Sequence, residues 1–380
     1  MKIRYFDHAA TTAVAEEVKD EMLPYFTENY GNASALYDLG KKSKEAINIA
    51  RGRVARAINA KPNEIYFTSC GTESDNLILK GIAKAYRNKG NHIITSKIEH
   101  PAILNSCRSL EKEGVRVTYL NVDKNGFVDL RELEKAINKD TILISIMMAN
   151  NEIGTIEPVQ EIAEIAHINN VIFHTDAVQA IGNIKIDVKK LGIDAISMSA
   201  HKFYGPKGVG VLYVDENINF VPIQNGGHQE DDKRAGTENV AGIVGLGKAI
   251  EIANQGIEEY NNKLLNLRNY FLERIRVIPY TKINGDLDKR LSGNINISFL
   301  GVDNRDIMKE LNKKGICVSA GSACSSGFIR TSHVLSAIGL SEGIARGTIR
   351  ITFGRENTKE DIDYLVDTLE ETIKKLRIQN

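Results

Sequence analysis

The sequence predicts an α/β protein whose mainly parallel sheet is wrapped by helices and joined to a smaller α+β domain, and three observations carry this expectation. At 380 residues the chain exceeds the usual single domain. Between about residues 64 and 214 short β-rich runs alternate with helical stretches, the spacing of parallel strands joined by crossover helices. Beyond residue 236 the pattern changes to long helical stretches with isolated strands between them.

Taken in order, "EIYFTS" leads into a helix beginning near Thr72, and "HIITS" precedes "PAILNSCRSLEKE", whose Pro101 suits a first helical turn. The strands "VRVTYL", "TILISIMM", "VIFHTDA" and "IDAISMS" follow, separated by helical or turn segments such as "DLRELEKAI" and "PVQEIAEIAH". Helices are expected over roughly 237–254 and 257–276, then a strand at "NINISF", a helix near 303–314, the strand-like "GICVSA", a Gly/Ser loop, a strand in "GTIRITF" and a terminal helix near 358–377. The expected division is a large domain over 13–250 and a small one built from 1–12 and 251–380.

Bulk composition excludes several classes of function. Lys+Arg and Asp+Glu both number 49, so nothing marks a polyanion-binding surface and direct contact with nucleic acid is not expected. The longest apolar stretch, around "TILISIMMA" at 141–149, is too short to span a bilayer, and "MKIRYFDHAATT" holds no apolar segment of signal-peptide length. A cytoplasmic protein without a membrane role is expected. Four cysteines (Cys70, Cys107, Cys317, Cys324) give neither a disulfide framework nor a zinc-binding CxxC pattern, which fits a reduced compartment and no resident metal.

Ligands of parallel sheets sit beyond the carboxyl ends of the strands. The residues found there are Gly71-Thr72, His100, Asn150-Asn151-Glu152, Asp176 and the run Ser199-Ala200-His201-Lys202. Each alone has a plain structural role, as a helix cap or a surface turn. Together they suit one chemistry. A glycine-led helix N-terminus suits a phosphate, an aspartate can keep a pyridine nitrogen protonated, a histidine can lie flat on an aromatic ring, and a lysine can form a Schiff base with an aldehyde. Phosphate, pyridinium and aldehyde describe pyridoxal phosphate. Lys202, in the stiff "SAHKFYGPKG", then needs a fixed direction and a lowered pKa, while Lys207 is the ordinary solvated turn lysine.

Two further residues invite chemistry. Cys324 lies in "SAGSACSSG" at 319–327, small residues that cannot build a core, so an exposed reactive thiol is expected there, whereas Cys317 in an apolar run reads as packing. Cys70 and Cys107 receive no chemical role. Arg350 stands among alternating apolar residues in "GTIRITFGR" and must meet an anion, either a substrate carboxylate or an internal Asp or Glu.

The motifs "YFDHAATT", "FTSCGTESDN", "SKIEHPAI", "ANNEIGTIEP", "HTDAVQAIG", "SAHKFYGPKGVG", "RAGTEN", "SAGSACSSG" and "TIRITFGR" span nearly the whole chain. On them the sequence resembles the cysteine desulfurases of the NifS/IscS type, within the class V aminotransferase group of fold type I pyridoxal phosphate enzymes, whose fold is aspartate aminotransferase-like. The resemblance implies that Lys202 holds the cofactor and removes the substrate Cα proton, with His100 stacked on the ring and catalytic beside Lys202 and Cys324. Asp176 would pair with the pyridine nitrogen and Gln179 with the ring hydroxyl. Gly71, Thr72, Ser199 and His201 would bind phosphate, joined by Thr237 from the other subunit of a homodimer. Asn151 and Arg350 would position cofactor and substrate carboxylate. Cys324 would take the sulfur of L-cysteine as a persulfide, release alanine, and pass sulfur to an iron–sulfur scaffold or a tRNA-thiolation protein; transient iron–sulfur ligation by Cys324 would be compatible with this. Selenocysteine lysis or another lyase or transaminase reaction is the alternative on the same cofactor, and transamination needs no thiol. The sequence departs from the family's usual pattern at His8, commonly Asn, at "DDK" over 231–233, and at "GFIRTSH" over 327–333.

Overall fold

The computed structural model describes residues 2–320 and 331–379. In chain order its strands are β1 (Arg4–Tyr5), β2 (Ile65–Thr68), β3 (His92–Ser96), β4 (Arg116–Leu120), β5 (Thr141–Ser145), β6 (Ile172–Asp176), β7 (Ala195–Ser199), β8 (Gly210–Val214), β9 (Thr281–Ile283), β10 (Asn294–Phe299), β11 (Ile316–Cys317) and β12 (Thr348–Thr352). Seven of them form one sheet in the order β2-β8-β7-β6-β5-β3-β4. Strands β4, β3, β5, β6 and β7 run parallel, and β8 is antiparallel to both β7 and β2. Strands β3, β5, β6 and β7 are buried along their whole length, which explains their near-continuous apolar runs.

Strand β8 was not foreseen from the sequence. The chain leaves β7 through the "YGPKG" turn and comes straight back, with no crossover helix, so the alternation that announces parallel strands is missing there. Between β3 and β5 the strand order reverses, and the crevice at such a reversal is where ligands of open sheets are held.

Helices cover both faces. Ile47, Val54, Ile162, Ile243, Leu246 and Ile250 seal one face from the Asp38–Ile58, Val159–Ile168 and Val240–Gln255 helices. Leu77, Ile82, Ile103 and Leu110 seal the other, from Gly71–Ala85 and Pro101–Lys112. Cys107 is part of this second layer, and burial pushes its thiol up to about 12.

A further core gathers Phe6, Leu264, Phe271, Phe299, Leu311, Phe353, Leu365 and Leu369 around the antiparallel β12-β10-β9 sheet. The N-terminus enters it by parallel pairing of β1 with β11. Among the described residues no helix is long and apolar enough to cross a membrane.

Candidate active site

A cavity of about 470 Å³ opens beyond the ends of β6 and β7. It brings together Gly71, Thr72, His100, Asn151, Asp176 and Gln179 with Ser199, His201, Lys202 and Arg350. Thr237 is exposed and does not line it. Cys324 lies outside the described residues.

Lys202 ends a single 3₁₀ turn, Ala200–Lys202, directly after β7. The turn is stiff for stated reasons. Tyr204 holds a left-handed φ of 65°, its N–H donates to Thr12 Oγ1 at 2.8 Å, and a Cβ on Gly205 would lie 2.8 Å from Ala200 Cβ. Lys202 Nζ donates to the carbonyls of Ala9 at 2.6 Å and Ala10 at 2.8 Å. Burial, and then the Arg350 guanidinium, lower its pKa to about 8, against the pull of Asp176 and Asp7.

The Gly71–Ala85 helix points its first turn at the cavity, and its N-cap Cys70 makes no capping side-chain hydrogen bond. The first N–H groups of the helix are therefore left for a ligand. A Cβ on Gly71 would sit 2.6 Å from Val178 Cγ2, so glycine is required for the helix to start this close to the β6 turn. His201, at the rim with Thr72 and Ser199, is lowered to about 4 by burial and by Lys202 and Lys207, which makes it a neutral imidazole.

Asp176 is buried at the end of β6 and its Oδ1 accepts the Val178 N–H at 2.9 Å. Burial raises its pKa, and the His100 charge, the Val178 hydrogen bond and Lys202 oppose the rise. His100 caps the Pro101–Lys112 helix, with Nδ1 accepting from Ala102 N at 3.2 Å, so its proton sits on Nε2. Burial lowers its pKa. Gln179 Nε2 donates to the Ala9 carbonyl at 2.9 Å.

Arg350 resolves the choice posed by the sequence in favour of an internal carboxylate. Its Nη2 meets Asp7 Oδ1 at 2.7 Å and its Nη1 donates to the Asn151 carbonyl at 2.9 Å, while Nε has no partner. The side chain still lines the cavity while paired with Asp7.

Several lining residues escaped the sequence reading. Asp7 arrives through long-range pairing of the N-terminal segment with β11 and with Thr352 of β12, which no local pattern announces. Asp75 is 1% exposed with Oδ1 unpartnered, and its ligand atom, with those of His100 and Asp176, forms a set within 4.8 Å of one another. Two carboxylates this close in a dry site do not both ionise. Burial and the Asp176 charge raise Asp75 far above the usual range, so the pair does not carry two full negative charges. Its spacing of three from Thr72 on one helix face was the available signal. Cys70 and His333 also line the cavity, as does Glu152, which the sequence had placed at a strand end. Ser332 Oγ donates to Glu152 Oε2 at 2.6 Å, and His333 Nε2 donates to the Glu99 carbonyl at 2.9 Å.

This donor set fits pyridoxal phosphate: free helix N–H groups beside hydroxyls for a phosphate, a buried carboxylate for a pyridinium, and an amine of lowered pKa for an aldehyde.

Comparison with known proteins agrees with this geometry. Residues 4–365 match the family described as Aminotransferase class-V. Cysteine desulfurase IscS of Clostridium botulinum is 54% identical over 376 residues, covering 98% of this chain and 95% of that one. Cysteine desulfurase IscS of Methanosarcina thermophila is likewise 54% identical, over 99% of this chain and 93% of that one. Among solved structures, a NifS-like protein superposes with a TM-score of 0.94 at 39% identity over 99% of this chain and 100% of that one. A structure of SspA in complex with cysteine gives 0.82 at 37% identity over 93% of this chain and 100% of that one. Matched along nearly its whole length, the chain belongs to the class V aminotransferase family and, within it, to the cysteine desulfurases.

Proposed function

We propose that this protein is a pyridoxal-phosphate-dependent cysteine desulfurase that moves the sulfur of L-cysteine onto Cys324 and leaves L-alanine. The observation that carries the reading is the Lys202 amine, lowered to about 8 and aimed into the cavity that also holds Asp176 and the Gly71 helix terminus. Pyridoxal phosphate bound there would supply an electron sink for breaking the substrate Cα–H bond. Lys202 Nζ takes that proton and later returns one, and its lowered pKa keeps a working share of the amine neutral near pH 7. Asp176 would hold a proton at the ring nitrogen. Gln179 would serve the ring hydroxyl, and the neutral His100, with its proton on Nε2, would face the ring. Gly71, Thr72, Ser199 and His201 would hold the phosphate. Arg350 and Asn151 receive the substrate carboxylate.

The Cys324 thiolate takes the substrate sulfur as a persulfide and hands it to a protein of iron–sulfur assembly or tRNA thiolation in the cytoplasm. A homodimer, in which Thr237 of the partner subunit completes the phosphate site, is supported by the exposed Leu23, Phe26, Tyr30, Leu36 and Tyr37 along one stretch of chain. The test is incubation with L-cysteine and a thiol reductant, with alanine and sulfide assayed. The wild type is expected to form both in equal amounts and Lys202→Ala neither. Cys324→Ala is expected to keep the visible absorbance of the bound cofactor and lose sulfide formation. Undiminished sulfide from Cys324→Ala removes that thiol from its role.

A further inference from the structure

Two arginines away from the cavity are buried with no carboxylate at ion-pair distance among the described residues. Arg268, on the Ile257–Arg274 helix, and Arg290, just before β10, are only 7% and 4% exposed. Nε and Nη1 of both are buried without a hydrogen-bond partner. Among the described residues neither forms an ion pair, and the only side-chain hydrogen bond of the two runs from Arg290 Nη2 to the Asn284 carbonyl.

The two charges are neighbours. Leu264, one turn before Arg268, packs against the Arg290 segment, where a Cβ on Gly293 would lie 2.8 Å from Leu264 Cδ1. Burial lowers the Arg290 pKa to about 10, with the Arg268 charge as the next cause. The nearby carboxylates do not neutralise them: Asp286 Oδ1 accepts the N–H groups of Asp288 at 2.8 Å and Lys289 at 2.7 Å, and neither Asp286 nor Asp288 comes within ion-pair distance. Buried polar groups in native proteins almost always find partners, and buried charges find counter-charges. Water could satisfy the N–H groups but supplies no counter-charge.

We propose that Arg268 and Arg290 form a binding site for a compact inorganic anion, a chloride or a phosphate-type oxyanion. The site has a place in the architecture. Arg290 bridges to Thr155, Leu291 N donates to the Gly154 carbonyl at 2.9 Å, and a Cβ on Gly285 would meet both Arg290 Nη2 at 2.7 Å and the Ile153 carbonyl at 2.9 Å. The arginine segment thus braces the turn that brings Asn151 to the catalytic cavity, and a bound anion would fasten that brace.

The experiment uses the cofactor-loaded protein, whose phosphate site is already filled. The thermal midpoint is followed at fixed pH and ionic strength, with a bulky organic sulfonate replaced stepwise by chloride in one arm and by inorganic phosphate in the other. The midpoint is expected to rise and saturate in at least one arm, by roughly 5 °C at a hundredfold excess over the apparent Kd. The arm that responds identifies the anion. Arg268→Met with Arg290→Met is expected to abolish the rise. Should the double variant not fold, Arg268→Met alone is expected to weaken the apparent affinity at least tenfold. A wild-type midpoint unmoved in both arms overturns the site, as does an unchanged saturating rise in the folded variants.

Discussion

The Lys202 amine is governed by charges contributed from opposite ends of the chain. Asp7 and Asp176 favour its protonation, Arg350 opposes it, and Asp7 and Arg350 are themselves paired at 2.7 Å. Asp7→Asn is therefore expected to have two effects. It strands the buried Arg350 guanidinium, costing about 3 kcal/mol of stability, and it moves the Lys202 titration further down, because a charge that raised it is gone. Denaturant unfolding and pH-dependent acylation of Lys202 in the cofactor-free chain measure the two. At this scale the sequence spoke clearly where chemistry is local. Lys202, Asp176 and His100 each lie at or beyond the carboxyl end of a strand, where ligands are expected. Asp7 and Asp75 were harder to read, since one needs the long-range pairing of the N-terminal segment and the other offered only its spacing of three from Thr72, its approach to Asp176 being visible in the fold alone.

Elements place these groups by how closely their backbones approach. The Gly71–Ala85 helix can begin beside the β6 turn only because residue 71 has no Cβ, which would fall 2.6 Å from Val178 Cγ2. Gly71→Ala is expected to push the helix terminus off the phosphate and weaken cofactor binding about tenfold or more, with far-UV circular dichroism unchanged; equilibrium dialysis against pyridoxal phosphate reads it. Buried parallel strands were legible as apolar runs with helices between them. Helix ends were less so. The helix expected from 237 starts at Val240, because the Asn239 side chain accepts from Gly242 N at 3.1 Å and fixes the cap there. Strand β8 escaped because it returns without a helix, and its apolar pattern matches that of any short core segment.

Across the whole molecule, the cavity lies where the chain's two ends come back to the large sheet. β12 brings Arg350 and the N-terminal segment brings Asp7, Ala9 and Ala10, while β6 and β7 bring Asp176 and Lys202. Dry polar layers under the sheet make stability depend on acidity. His174 is held between Ser145 Oγ at 2.9 Å and Ser197 Oγ at 3.0 Å, and burial lowers its pKa to about 3. A folded-state pKa below the unfolded value means that the unfolded chain binds the extra proton. Stability from this residue is complete above about pH 6.5 and falls as the pH drops toward 3, by at most about 1.4 kcal/mol per pH unit. His174→Gln is expected to flatten that slope in unfolding midpoints measured between pH 6.5 and 4.

The most direct measurement is borohydride reduction of the freshly purified, cofactor-loaded protein, followed by peptide mass mapping. The expected result is one reduced pyridoxyl group per chain, on Lys202. A pyridoxyl group on Lys207, five residues further along the same turn, or no adduct at all, would contradict the assignment of the amine on which the catalytic reading rests.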